Sequence, residues 1–241
     1  MEHEHVARLG TRWVNWYAVE EDGRVTIVDG GLPKYIDALP AQLARIGRSE
    51  GDIAAIVLTH AHTDHIGTTE LLRTRLGVPV HVHEADEELA RTQRTTAKRE
   101  RSMLPYLRYP TVWRGIGHFV ASGVAKTKPI AEVQTFTDGA ALDVPGRLRV
   151  IHTPGHTDGH CALLSESTRV LFAGDALCTF ALTGARGPQL MPAAMNLSSA
   201  QALASLDRLV GTGAAILFPG HGEPEDDADA AVAAAKRRGP T

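Results

Sequence analysis

The feature that most constrains this chain is the junction at residues 53–65, where the unbroken apolar run IAAIVL (53–58) leads through Thr59 into His60-Ala61-His62-Thr63-Asp64-His65. A short run apolar at every position is a strand covered on both faces, so the chain has to supply a layer on each side of it. Ile66 to Leu76 then carries a helical pattern ending at Gly77, and 78–82 (VPVHV) reads as another strand. Strand, loop, helix and strand in succession make a βαβ unit, and ligands of such units collect at the carboxyl ends of the strands. The histidine-rich hexapeptide stands at such an end.

The rest of the chain fills in the layers. Residues 13–19 (WVNWYAV) and 24–28 (RVTIV) predict a hairpin around Glu21-Asp22-Gly23, closed by Asp29-Gly30-Gly31. Pro33 to Ile46 predicts a helix, with Pro40 arguing against a single unbroken one. Short strand-like runs follow at 131–136, 147–152, 161–165 and 169–173, then a helix over 198–210 with Ser198 or Ser199 at its N-cap. A last strand spans 215–218, and an Ala-rich helix spans 228–237. Two strand-rich halves, each with helices, imply an α/β chain in which two sheets pack face to face with helices outside. Residues 84–130 differ: EADEELARTQRTTAKRERSM is charged and reads as helical, and LPYLRYPTVWRGIGHF is aromatic, so this stretch is expected to be a helical lid or insertion. At 241 residues, one domain over 1–241 is the expected organisation.

Composition narrows the function classes. Hydrophobic residues at 43% and charged residues at 22% are ordinary for a globular protein. With 25 basic and 28 acidic side chains, the chain lacks the broad positive surface that a phosphate backbone requires, so nucleic acid is not an expected partner. The polar start MEHEHVARLG has no apolar core of a secretory signal, and no run approaches a membrane span, so a cytoplasmic protein without membrane contact is expected. Oligomeric state is not legible. Cys161 and Cys178 are too few for a disulfide framework and read as buried thiols. Twelve histidines are the one oddity, five of them within 60–83 and three within 152–160.

In an extended segment, side chains two apart project to the same side, so His60 and His62 can reach one metal ion while Asp64 and His65 turn toward a second. With this run, the chain resembles the metallo-β-lactamase superfamily, whose hallmark is H-x-H-x-D-H. The resemblance extends through VDGG (28–31), TPGHTDGH (153–160), FAGD (172–175) and FPGHG (218–222), in order and across most of the chain.

That resemblance implies a four-layer αββα sandwich of two mixed sheets. It implies that His60, His62 and His156 bind a first metal ion, that Asp64, His65 and His221 bind a second, and that Asp175 bridges the two. Asp29 would orient neighbouring ligands without binding. Nitrogen and carboxylate ligands suit two zinc ions, and the same set can hold iron or manganese. Paired ions about 3.5–4 Å apart lower the pKa of a shared water from 15.7 toward about 7, so the expected reaction is attack by a metal-bridging hydroxide on a carboxylic ester, lactone or thioester. Asp64 is the expected proton acceptor. The aspartate at 175 differs from true β-lactamases of the superfamily, and the site looks more like those of glyoxalase-type and lactonase-type hydrolases. Persulfide dioxygenases with a single iron look similar and give the alternative reading. A nuclease lacks its basic groove here, and a non-catalytic binding protein would be expected to lose ligands.

A small-molecule substrate is the expected partner. Tyr106, Tyr109 and Trp113, with Arg108 and His118, are candidates for a pocket wall from the 84–130 segment. Phe180 and Met191, with Arg186 and Met195, are candidates from the loop after Asp175, whose apolar content favours a non-polar acyl or ring group. His81 and His83 share one face of a strand and read as structural. His152 and His160 flank the P-G-H-T turn, with hydrogen bonds to ligands or simple core packing equally open.

Overall fold

The computed structural model describes residues 2–3, 5–94 and 97–239. One mixed sheet comprises β1 (Glu2–His3), β2 (Val6–Arg8), β3 (Tyr17–Glu21), β4 (Arg24–Val28), β5 (Ile53–Val57), β6 (Val80–His83) and β7 (Gln134–Phe136), side by side in chain order. The other comprises β8 (Ala141–Leu142), β9 (Leu148–His152), β10 (Cys161–Ser165), β11 (Val170–Gly174) and β14 (Ile216–Pro219), in the order β14-β11-β10-β9-β8. Between β11 and β14 in sequence, β12 (Cys178–Phe180) and β13 (Arg186–Gln189) form a separate hairpin.

Two-residue alternation builds the layers. On β3, Tyr17 and Val19 face the second sheet while Ala18 faces the outer helices. On β10 and β11, Cys161, Leu163, Val170 and Phe172 face the first sheet, whereas Ala162, Leu164, Leu171 and Ala173 face outward. Tyr17, Phe172 and Phe218 meet ring to ring in the layer between the sheets, at centroid separations of 5.0–5.9 Å. Each large apolar side chain buried there contributes about 1.5–3 kcal/mol. On the outer faces, α1 (Leu39–Arg45), α2 (Thr69–Leu76) and α3 (Glu87–Thr92) cover the first sheet through Leu39, Leu43, Leu72 and Ala90. With α4 (Pro110–Ala121) intervening in the chain, α5 (Ser199–Ser205) and α6 (Ala228–Arg238) cover the second through Ala202, Ala231, Val232 and Ala235. The result is the four-layer αββα sandwich. No helix among the described residues is long and apolar enough to cross a membrane.

Several elements depart from the sequence reading for local reasons. The expected strand at 13–19 begins only at Tyr17, because Asn15 is spent on another partner: its amide donates to Gly220 O (2.7 Å) and its side chain to Pro219 O and Gly222 O. The helix expected over 33–46 splits into a 3-10 turn, Pro33–Ala38, and α1, with Pro40 in the first turn of the new helix where its missing N–H costs nothing. Helix α2 starts at Thr69 because the N–H groups of Gly67 and Thr68 bond Gly31 O and Gly30 O instead. The charged stretch 84–103 is not one helix. It ends at Thr92, where Gln93 turns left-handed (φ 54°), and Thr95 and Thr96 lie outside the described residues. Strands β1, β2, β8, β12 and β13 carry too little alternation to be read from sequence. Ser198 caps α5 as expected, accepting from Gln201 N (3.2 Å).

Candidate metal centre

Parallel pairing delivers the functional loops to one edge. Because β4 runs parallel to β5, and β11 to β14, their carboxyl ends emerge together. These ends lead into Asp29, His60–His65, Asp175 and His221, while His156 lies in the turn between β9 and β10. The side chains converge in three sets of metal-ligating type: His60 with His62 and His156, Asp64 with His65 and His221, and His60 with His65 and Asp175. All but the half-buried His62 are buried.

Hydrogen bonds orient each ring. Asp29, in a left-handed conformation (φ 64°), accepts from Thr59 N (2.8 Å), Thr59 Oγ1 (2.9 Å) and His65 Nδ1 (2.9 Å). With its hydroxyl hydrogen given to Asp29, Thr59 Oγ1 accepts from His60 Nδ1 (3.1 Å). His156 Nδ1 donates to Asn196 Oδ1 (3.2 Å), and Asn196 is itself fixed by donation to Met191 O and Ser199 Oγ. His221 Nδ1 donates to Trp13 O. In these four rings the Nδ1 proton is committed, which turns Nε2 toward the cluster as the atom that can ligate. His62 instead brings Nδ1 within 2.8 Å of His156 Nε2.

Asp175 sits among these nitrogens. Its Oδ2 lies 3.2 Å from His156 Nε2, 3.3 Å from His221 Nε2 and 3.9 Å from His60 Nε2, and its Oδ1 lies 3.5 Å from His65 Nε2. Asp64 Oδ2 lies 3.7 Å from His65 Nε2 and 3.5 Å from His221 Nε2. The Nε2 atoms of His60, His65 and His221 and the Oδ1 of Asp175 are buried without a hydrogen-bond partner. Buried polar atoms are ordinarily paired, so convergent lone pairs of this kind fit divalent cations as their missing partners.

The charge states divide accordingly. Burial pushes His60, His62 and His156 below the usual histidine range, and in His60 and His62 the surrounding rings add to it. Burial acts the same way on His65, but the carboxylates of Asp175, Asp64 and Asp29 outweigh it and hold that ring at about 10. His221 is also raised, with Asp175 overcoming its burial. Burial opposes ionisation of Asp175, yet His221, His65 and His156 hold it well below the carboxylate range. Metal ligation requires neutral imidazole, so ions entering this site displace protons from His65 and His221.

His160, left open by sequence, supports the centre. Its Nε2 accepts from Asp175 N (2.8 Å) and its Nδ1 donates to Thr153 Oγ1 (2.9 Å), while burial lowers its pKa to about 3. His152 bonds Asp158 O through Nε2 and stacks on His83 at 4.2 Å, away from the cluster. Glycine is required where loops touch. A Cβ on Gly220 would lie 2.2 Å from Asp175 Oδ1 and 2.8 Å from His65 Cε1. Gly220→Ala is therefore expected to displace Asp175 and to cost about 1–3 kcal/mol in a thermal or denaturant melt, with reduced metal content. A melt and metal content equal to wild type would contradict this packing.

Two cavities reach the centre, and a third lies apart from it. Phe180 and Met191 line a small apolar one of about 40 Å³ that touches Asp64 and His221, together with Trp13, Phe119, Leu182 and Met195. A larger cleft of about 480 Å³, with both polar and apolar walls, reaches His62 and His156 and is bordered by Gln93, Arg94 and Arg99. Tyr106 and Tyr109 line a third cavity of about 470 Å³ with Arg101 and Arg108, and none of its lining residues belongs to the histidine–aspartate cluster. Trp113 lines none of the three; it is 58% exposed and donates to Leu107 O (2.9 Å). Trp13 and Phe119 are not legible as lining residues in the sequence, because Trp13 stands in a strand-like run and Phe119 in an aromatic stretch whose pattern does not say which rings turn inward. Trp13 packs edge-on to Phe180 at 5.2 Å and is stacked with His118 at 5.9 Å.

Two sheets between helices, with a buried histidine–aspartate cluster at one edge, define the class as a four-layer sandwich carrying a site of metal-ligating type. The chain belongs to the metallo-beta-lactamase superfamily, whose family model matches residues 9–221. It is 27% identical to the probable metallo-hydrolase YflN of Bacillus subtilis over 218 residues, covering 82% of this chain and 75% of that protein. Among solved structures, it is similar to the metallo-beta-lactamase family protein TTHA1429 of Thermus thermophilus, at 30% identity and TM-score 0.69, covering 97% of this chain and 79% of that one. It is also similar to TTHA1623, solved in a di-iron-bound form, at 28% identity and TM-score 0.63, covering 97% of both chains.

Proposed function

We propose that this protein hydrolyses a carboxylic ester, lactone or thioester bearing an apolar acyl or ring group, using two divalent metal ions. The observation that carries the reading is the pair of three-residue sets, His60–His62–His156 and Asp64–His65–His221, with Asp175 facing both. We take these as two metal sites sharing the Asp175 carboxylate. Zinc is the preferred metal, with iron supported by the di-iron form of a similar chain. When bound, such ions acidify a water and polarise a carbonyl or leaving group.

The chain's own residues supply the rest. Asp29, Thr59, Asn196 and the Trp13 carbonyl hold the imidazoles in the tautomer that presents Nε2. Asp64, which reaches the apolar cavity and faces His65 and His221 through Oδ2, is placed to accept a proton near the reacting group. Trp13, Phe119, Phe180 and Met191 exclude water from that side and favour an apolar substituent.

Metal analysis and a panel of esters, lactones and thioesters test the reading. Two ions per chain, with turnover on at least one class, are expected. A single iron per chain, with oxygen uptake on a persulfide, would overturn it. Within the panel, Phe180→Ala is expected to lower kcat/KM for the longest apolar acyl group by about tenfold while sparing the acetyl analogue, on the scale of one to two methylene contacts. Equal losses on both substrates would remove Phe180 from substrate recognition.

A further inference from the structure

We propose that Asp86 is a positioning residue for the metal centre, its buried carboxylate setting the spacing between the loop that carries His60 and His62 and the turn that carries His156. The inference rests on the reading of these three imidazoles as one metal site. Asp86 ends the short 3-10 turn Glu84–Asp86 that follows β6, and it is only 2% exposed. Its Oδ2 accepts from Ala61 N (3.0 Å) and from Thr157 Oγ1 (2.9 Å), and its Oδ1 accepts from Gly159 N (2.8 Å).

Each partner sits beside a residue of the cluster. Ala61 lies between His60 and His62, Thr157 follows His156, and Gly159 precedes His160, whose ring accepts from Asp175 N. Gln93, a few residues after Asp86, donates through Nε2 to Ala61 O (3.1 Å), so the backbone on both sides of Ala61 is held by the segment that follows β6. The approach is as close as backbone permits: a Cβ on Gly159 would lie 2.5–2.7 Å from Asp86 N, Cβ and Oδ1.

The chemistry makes Asp86 hard to replace. All three partners are donors, so the position demands two acceptor oxygens. Asparagine preserves the size but turns an NH2 group against an N–H or O–H donor on one side, pushing either the Ala61 peptide or the 157–159 turn away. His60, His62 and His156 then no longer meet at one point, whereas Asp64, His65 and His221, positioned by Asp29 and Trp13, are left in place.

The test is a titration of metal-free wild type and Asp86→Asn with cobalt(II), followed by its visible spectrum and by calorimetry. Wild type is expected to take up two ions. In Asp86→Asn, one of the two is expected to bind about 10–100-fold more weakly, as when an outer hydrogen-bond partner of a metal ligand is lost, and the other to bind as in wild type. On a responsive ester, kcat is expected to fall with KM little changed. Thr157→Val, which removes one donor and keeps the carboxylate, is expected to weaken the same ion by a smaller factor, and it reads the proposal even if Asp86→Asn does not fold. Variants that melt at lower temperature but bind both ions with wild-type affinity would overturn the positioning role. A wild-type chain that takes up no ion would overturn the metal reading itself, and this role with it.

Discussion

Asp175→Ala is expected to reduce turnover by roughly two to three orders of magnitude, the scale seen when one preorganised electrostatic group is removed from a reacting site. It is also expected to lower bound metal from two ions toward one. Asp175 is 2% exposed, and its two oxygens lie 3.2–3.9 Å from the Nε2 atoms of His60, His65, His156 and His221. No other carboxylate among the described residues faces both histidine sets in this way. Alanine removes the shared counter-charge and leaves a void that a single water cannot match in charge. Asp175→Asn separates the two effects, since it keeps the volume and loses the charge. Unchanged metal content and unchanged turnover in Asp175→Ala would refute the two-ion reading.

The metal-free protein is expected to lose stability steeply as pH falls from 6.5 toward 3. His160 is buried and neutral, with its pKa lowered to about 3 against an ordinary 6.5, so in this window the unfolded chain binds a proton that the folded chain refuses. A shift of that size corresponds to roughly 5 kcal/mol across the window, and the lowered values of His60, His62 and His156 act in the same direction. His65 has the opposite sign. Its raised pKa of about 10 gives stability that is complete below 6.5 and is lost as pH rises toward 10, so it contributes no slope on the acid side. Stability should therefore be greatest near pH 6.5 and decline on both flanks. Denaturant melts of the metal-free protein across pH 4–9 check this, and a flat profile would show that these rings are not buried as described.

Much of the architecture was legible because its signals are local. The apolar runs at 53–58 and on β4, β10 and β11, and the alternation on β9, depend only on neighbours in sequence. The segments that misled were those whose backbone is spent at long range. Trp13 to Trp16 looks like a strand, yet Asn15 bonds the loop at 219–222 some two hundred residues away. The stretch 84–103 looks like one charged helix, yet it turns at Gln93, whose side chain caps the Ala61 carbonyl. Tyr106 and Tyr109 line a cavity apart from the cluster, while Trp13 and Phe119 line the one that touches Asp64 and His221.

The sequence by itself determined which side chains of ligand type stand at strand ends, because strand, turn and motif are set within a few residues of one another: His60, His62, Asp64, His65, His156, Asp175 and His221 are all recognisable there. Only the tertiary structure decided how those side chains are held and what surrounds them. The partners that orient them, Asp29 to His65, Trp13 to His221, Asn196 to His156 and Asp86 to both ligand loops, are separated by 25 to 208 residues. A hydrogen bond depends on position to within a fraction of an ångström, and no local pattern carries that information across such a distance.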